Sequence, residues 1–373
     1  MATITGPIDV SALRARLDRA TAAAEQAGVD ALLISPGSDL RYLIGAGGDS
    51  FERLTCLALP VGGTPTLVVP KLEQPGYAAI PTDELGVEVV TWVDGEDPYA
   101  LVKAALKGDR TAVADMMPAL HTIKLGNAIG GAQSLAGPII RELRMRKDTS
   151  EIAALRKAGQ AIDRVHARMG EFLRVGRTEK DVAKDIAQAI VEEGHTVAEF
   201  VIVGSGPNGA SPHHRDSDRV IEAGDVVVID IGGPVAEGYN SDSTRNYVMG
   251  EPKHDDVWDT YAVLQAAQKA AVEAVKPGRT CEEIDNVART IIADAGFGEF
   301  FVHRTGHGIG LDVHEEPYIV SGNALPLEAG MAFSVEPGIY LPGRWGARIE
   351  DIVVATETGV ESFNNRPHEL VVL

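Results

Sequence analysis

Cysteine is scarce in this chain. Cys56 and Cys281 are the only two in 373 residues, so neither a disulfide framework nor a thiolate zinc site is implied, and both read as small buried residues. Long apolar runs are also missing. No stretch reaches the roughly 18 apolar residues of a membrane span. The amino-terminal MATITGPIDVSALRARLDRA has no apolar core of signal-peptide length, so the expected location is the cytoplasm. Positive charge is in deficit, with 34 Lys and Arg against 54 Asp and Glu, a formal net charge of -20. Nucleic acid and anionic membranes both require basic patches and are not expected partners. The acidity reads as solubility, or as attraction of metal ions and cationic amino termini. Short-period repeats and low-complexity tracts are absent as well.

What is present alternates between helix and strand signals. Ser11 to Ala27 predicts an amphipathic helix with Asp9 or Ser11 as cap and Gly28 as stop. VDALLIS, LTCLALP, PTLVVP, GVEVVTWVD and TAVADMM read as strands, and PYALVKAAL as a short helix. This mixture predicts a smaller α/β domain over residues 1–140. From residue 141 to 373 the pattern changes. Arg141, Arg144, Arg146 and Lys147 form a basic cluster read as a solvated linker face, and Asp148, Thr149 and Ser150 follow as capping residues of a long helix. A second helix is expected over residues 178–193, and two more at 256–275 and 281–295. The order helix, helix, strands occurs twice, which predicts two pseudo-symmetric halves sharing one site.

The chemistry concentrates in that second region. GHGIGLDVHEEP, Gly306 to Pro317, puts His307 and His314 in a glycine-flanked loop. Asp230, Asp242, Glu336 and Glu350 each lie in or beside a β-like run, where a carboxylate is out of place unless something binds it. DVVVIDIGGPVAEGYNSDSTRNYVMG reads as a hairpin that sets Asp230 and Asp242 on neighbouring strands, and paired carboxylates at that range need a cation between them. AFSVEPGIY and GARIEDIVVAT read as two further strands carrying Glu336 and Glu350. Taken singly, each acid reads equally well as a salt bridge, a cap or an exposed strand position. Taken with His307, the four acids read as the ligand set of two divalent metal ions, of the harder or borderline kind. Two such ions can activate a bridging water and polarise a carbonyl, which is the chemistry of amide hydrolysis.

Other residues suit the rim of such a site. Thr244, two residues after Asp242, and Arg348, two before Glu350, share faces with those acids and can hold ligand carboxylates. His213 and His314 can hydrogen-bond a scissile carbonyl or stabilise the tetrahedral state, although His213 also reads as an exposed loop residue. His303 reads as lining the substrate pocket or holding the loop, and His214 as exposed. His121, His166, His195, His254 and His368 read as surface or packing residues.

The segments GPNGASPH, VVVIDIGG, YNSDSTR, GHGIGLDVHEEP, FSVEPGIY and RIED, in this order, resemble the pita-bread metallopeptidases. DLRYLIG in the first region is similar to the smaller domain of the prolidase and Xaa-Pro aminopeptidase branch, which simple methionine aminopeptidases lack. The resemblance implies a C-terminal pita-bread α+β catalytic domain over residues 141–373. It implies Asp230, Asp242, His307, Glu336 and Glu350 as ligands of two divalent ions, with Asp242 and Glu350 bridging. Manganese is the implied ion, with cobalt or zinc as substitutes. His213 and His314 are implied to contact substrate, and Glu336 to shuttle a proton to the leaving nitrogen. The implied reaction is removal of an N-terminal residue before proline from a small peptide, by attack of a metal-bridging hydroxide, in a homodimer. The alternatives are a general metallo-dipeptidase, a methionine-type aminopeptidase, a creatinase-like amidinohydrolase and a non-catalytic pita-bread binding module. Creatinase lacks the full ligand set, and the binding modules typically lose it.

Two departures stand out. Asp230 and Asp242 are 12 residues apart, one more than is usual, an insertion expected in the PVAEG turn. Several prolidases carry an arginine just after the HExP segment to hold the dipeptide carboxylate. Here Tyr318 follows Pro317, and Arg344 or a residue of the N-terminal domain is the expected substitute.

Overall fold

The computed structural model describes residues 9–48, 52–215 and 217–373. Residues 1–8, over which the amino terminus was read as lacking a leader, lie outside them. The chain divides into two compact units, the first ending at Arg144 and the second running from Met145 to Leu373.

The first unit is built on a six-stranded mixed sheet. Its order is Glu88–Trp92, Thr66–Pro70, Cys56–Pro60, Ala31–Ile34, Thr111–Val113 and Gln133–Leu135. The central strands bear almost only Leu, Ile, Val and Ala and are buried throughout, as a sheet covered on both faces requires. The helix Val10–Gln26 starts where the Asp9 carboxylate accepts from the Ser11 and Ala12 amides. Ser38 and Asp39, residue types that also favour turns, open a helix, Ser38–Ile44. Its Leu40, Tyr42, Leu43 and Ile44 are buried and its Ser38, Asp39 and Arg41 half-buried, and seven residues are too few for a helical period to stand out.

The second unit holds the two halves expected from the repeated order. In the first, helices Thr149–Ala167 and Glu179–Glu192 pack on a sheet of Val371–Val372, Asn240–Val248, Val226–Pro234 and Phe200–Ser205. Ile162, Val165, Val182 and Ile186 meet Val203, Val227, Ile229 and Ile231 there. In the second, helices Val257–Ala274 and Cys281–Asp294 cover a sheet of Glu315–Ile319, Gly306–Gly308, Ala332–Val335, Asp351–Ala355 and Val360–Ser362. Leu264, Ile284 and Ile292 join Phe333, Val335 and Val353 in that core. Among the described residues no helix is long and apolar enough to cross a membrane.

Several local expectations change. Asp148 does cap its helix, in a reciprocal capping box with Glu151. The basic cluster before it is a solvated face only in part: Arg141 is exposed and the Arg146 side chain is 36% exposed beside Glu328, but the other two members are drawn inward. The Lys147 side chain is 1% exposed and lies 2.6 Å from Glu315, and Arg144 is ion-paired with Asp39 at 2.8 Å. His307 is not in a loop but in the short strand Gly306–Gly308, between Glu315–Ile319 and Ala332–Val335. Glycine is required on both sides of it by close approach, because a Cβ on Gly306 would overlap the Ser334 carbonyl and one on Gly308 the Glu316 carbonyl. The runs AFSVEPGIY and GARIEDIVVAT are each two strands, not one. They break at Glu336–Pro337 and at Ile349–Glu350.

Candidate metal centre

The site forms where the two halves of the second unit meet. The first contributes the hairpin Val226–Pro234 and Asn240–Val248, in which Asp230 pairs with Thr244 and Gly232 with Asp242. With side chains alternating along each strand, that register turns Asp230, Asp242 and Thr244 to one face. The 12-residue spacing therefore leaves both carboxylates together. The second half contributes His307 from its strand and Glu336 and Glu350 from the two strand breaks. A break frees a carboxylate from the strict alternation of a strand and lets it turn into the cluster.

Three overlapping groups of side chains could each hold a metal ion, their ligand atoms lying within 4.8 Å of one another. They are Asp230, Asp242 and Glu350, then His307, Glu336 and Glu350, then Asp242, His307 and His314. Glu350, Asp242 and His307 each belong to two groups. His307 Nε2 lies 3.2 Å from Glu336 and 3.6 Å from Asp242. His307 Nδ1 donates to the Gly308 carbonyl at 3.1 Å, which leaves the Nε2 lone pair facing the acids.

The surroundings hold these side chains without neutralising them. Thr244 Oγ1 donates to Glu350 at 2.7 Å, and Ser334 Oγ to Glu336 at 3.0 Å. Arg348 is buried and donates to Thr244 Oγ1 at 3.1 Å, to Tyr340 Oη at 2.8 Å and to Asp230 Oδ2 at 2.5 Å. Its nearest carboxylate partner is thus Asp230, in a different sheet, with Glu336 at 3.9 Å, and not the Glu350 whose face it was expected to share. The other oxygen of Asp230 is buried with no hydrogen-bond partner, a costly arrangement in a native protein unless an ion occupies that direction.

Proton affinities report the same crowding. Burial, then the charges of Glu350, Asp230 and Glu336, raise Asp242 well above the carboxylate range. Burial and the charges of Glu336 and Asp230 do the same to Glu350. Burial pushes Glu336 up to about 7. His307 is driven well below its ordinary value by burial and by His314, and so is neutral and able to ligate. One buried guanidinium cannot balance four clustered carboxylates. The donor set, oxygen-rich with one neutral imidazole and an orphaned carboxylate oxygen, fits divalent cations.

The cluster floors a cavity of about 760 Å³. His213, His303, His314 and Arg348 line it, and so do Phe200, Ile202, Val313 and Arg304, which the sequence reading did not single out. The His314 ring meets His307 edge-on at 4.0 Å, and His303 Nε2 bonds Tyr340 Oη at 2.8 Å. His214 is not free in its loop but lies 2.8 Å from the fully buried Glu179. Glu179 also accepts from Ser205, Asn208 and Ser217, pinning the loop that carries His213. Arg344 does not line the cavity. It is exposed and forks onto Asp256 at 2.9 and 3.0 Å, so it is no substitute for a carboxylate-binding arginine.

Comparison with known proteins matches this architecture. Residues 153–357 match Metallopeptidase family M24, and residues 16–146 match the Creatinase/Prolidase N-terminal domain. The chain is 59% identical over 367 residues to the "Probable dipeptidase PepE" of Mycobacterium tuberculosis, covering 98% of each. It is 37% identical to the Xaa-Pro dipeptidase of Lactobacillus delbrueckii subsp. lactis, over 94% of this chain and 96% of that one. The crystal structure of dipeptidase PepE from Mycobacterium ulcerans superposes with a TM-score of 0.94 at 60% identity, covering 98% of this chain and 99% of that one. With its creatinase/prolidase-type first domain and pita-bread second domain, the chain belongs to metallopeptidase family M24.

Proposed function

We propose that this protein is a dinuclear metallopeptidase that hydrolyses the bond between an N-terminal residue and proline in small peptides. The observation that carries the reading is the pair of ligand groups, Asp230–Asp242–Glu350 and His307–Glu336–Glu350, sharing Glu350 on the cavity floor. Glu350 is assigned to both ions because it belongs to both groups, and Asp242 is assigned to both by the family resemblance, with its Oδ2 3.6 Å from His307 Nε2. Two divalent ions, manganese first and cobalt or zinc in its place, would supply a water ionised at neutral pH and a Lewis acid for the scissile carbonyl.

The chain's own side chains do the remaining work. Arg348 and Thr244 hold Asp230 and Glu350 in place. His213 and His314 reach the reacting carbonyl from the cavity wall, and His303, tied to Tyr340, shapes that wall. His314 has its proton affinity lowered by burial, Arg304 and His213, so it reaches substrate as a neutral imidazole. Glu336 carries the proton from the attacking water to the leaving nitrogen. Catalysis is assigned to residues 141–373, with residues 1–140 as the accessory domain. A homodimer in the cytoplasm completes the reading. The preference for proline is supported by the Lactobacillus relative's activity as an Xaa-Pro dipeptidase.

The test is hydrolysis by manganese-loaded protein of Xaa-Pro dipeptides, Xaa-Pro-Yaa tripeptides, matched Xaa-Ala peptides and creatine. Cleavage confined to bonds before proline is expected. Equal cleavage of the alanine peptides would overturn the proline assignment, and silence on every peptide would overturn the peptidase reading.

A further inference from the structure

Away from the metal centre, the second unit holds a smaller cavity of about 150 Å³, where the segment Gly206–Ala210 meets the strand Trp345–Arg348. Trp345 lines it. The indole Nε1 is buried with no hydrogen-bond partner, while Trp345 otherwise belongs to the apolar core of the second half. The cavity is therefore the side from which an acceptor can reach that N–H. Other donors line the same space. Arg219 uses its Nη1 for Ser205 Oγ, Asp225 Oδ2 and the Val220 carbonyl. Its Nη2 lies 3.9 Å from Glu222, beyond hydrogen-bond range, and no other acceptor among the described residues engages it. Gly206 keeps that nitrogen uncovered, since a Cβ there would come within 2.8 Å of it. Lys253 gives N–H bonds to Glu222 and Asp225 at 2.6 and 2.8 Å, which leaves a third to offer. His254 adds a ring nitrogen.

The carboxylates of this wall, by contrast, are engaged. Asp225 is buried and accepts from Arg219, Lys253 and the Glu222 amide, and Glu222 accepts from Lys253. Arg344, the remaining cation of the lining, is forked onto Asp256. Three cations thus face three carboxylates, and what the cavity offers is an excess of N–H donors, not net charge. The structure assigns this cavity as a second ligand site, for a small oxyanion of carboxylate or phosphate type, held by Trp345 Nε1, Arg219 Nη2 and Lys253 Nζ. A water brings two protons to a wall whose carboxylates are already engaged, whereas an oxyanion brings acceptors alone, and hydrogen bonds from charged donors to it are the strong kind. The volume, about five times that of a liquid water, suits such an ion and not a peptide. The occupant would join two segments that lead into the larger cavity, the strand that carries Arg348 and the segment that precedes His213. The inference goes beyond the peptidase reading and does not rest on it.

The experiment follows the indole N–H resonances of isotope-labelled, zinc-loaded full-length protein by NMR. The protein is titrated with sodium sulfate, standing in for phosphate without precipitating zinc, and separately with sodium acetate. Sodium chloride at matched ionic strength is the control. Trp92, Trp258 and Trp345 give one signal each. Trp345→Phe identifies its own signal by loss, and Trp92→Phe with Trp258→Phe identify it by elimination if that variant does not fold. The Trp345 signal should move downfield and saturate with sulfate or acetate. Trp92, whose Nε1 already donates to the Leu54 carbonyl, and the exposed Trp258 should hold still. A response to sulfate alone identifies a phosphate-type ligand, and a response to acetate alone a carboxylate. Lys253→Gln should weaken the binding by about tenfold or more, the range of a charge-assisted hydrogen bond. A Trp345 signal that answers neither anion, that moves equally with chloride, or whose titration is unchanged in Lys253→Gln would overturn the inference. No turnover is measured, so failure of the peptidase reading would show itself separately.

Discussion

Removing the metal should leave a protein whose stability falls as pH rises, and Glu336→Gln should remove much of that fall. Burial lifts Glu336 from 4.5 to about 7 in the ion-free chain. The folded state therefore holds this proton to higher pH than the unfolded state does. The associated stability is complete below the unfolded value and is lost as pH rises through the folded one. At 1.4 kcal/mol per unit, the shift is worth roughly 3 kcal/mol. For a unit of this size that is on the order of 6–12 °C in Tm. Asp242 and Glu350 are displaced in the same direction and add to the slope. The assay is calorimetric melting of chelated wild type and chelated Glu336→Gln between pH 5 and about 8. The net charge of -20 imposes its own pH dependence, but the two proteins share it below the titration of Glu336. Chelated Glu336→Gln should melt above chelated wild type near pH 8, and the two should converge near pH 5. A variant no more stable than wild type at the upper pH, or a difference that does not change with pH, would refute the argument.

Three further outcomes are expected. Asp242→Ala or Glu350→Ala should abolish hydrolysis while circular dichroism shows a folded chain, and near-normal turnover in either would sink the ligand assignment. His314→Ala should lower kcat by about 10² to 10⁴ with metal content, read by elemental analysis, unchanged. Lys147→Ala removes the cation beside the largely buried Glu315 carboxylate and should destabilise the chain in denaturant unfolding, by at most about 3–5 kcal/mol, whereas replacing Lys147 and Glu315 together by apolar residues should cost less.

Much of the site was legible because its chemistry violates local rules. Carboxylates at 230, 242, 336 and 350 stand against apolar runs, and that conflict survives any error in strand boundaries. The hairpin was legible from its two strand-like runs and the turn between them, and its register in the structure brings Asp230 and Asp242 together despite the long turn. The capped helices were equally plain, since Asp148 and Thr178 announce themselves by side-chain chemistry. What stayed hidden depends on partners distant in sequence. Lys147 reads as one more exposed cation until Glu315 buries it. His214 reads as a loop residue until Glu179, 35 positions away, binds it. Arg304 has no motif of its own, and its place in the cavity follows from a strand pairing that sets Tyr318 opposite His307. The helix Ser38–Ile44 stayed hidden because its seven residues, about two turns, are too few to show a period.

The most direct test of the account is anomalous diffraction from crystals of the manganese-loaded protein. The account predicts two peaks on the order of 3.5–4 Å apart, one among Asp230, Asp242 and Glu350 and the other among His307, Glu336 and Glu350. No peak at these side chains, or a single ion bound elsewhere in the chain, would contradict it.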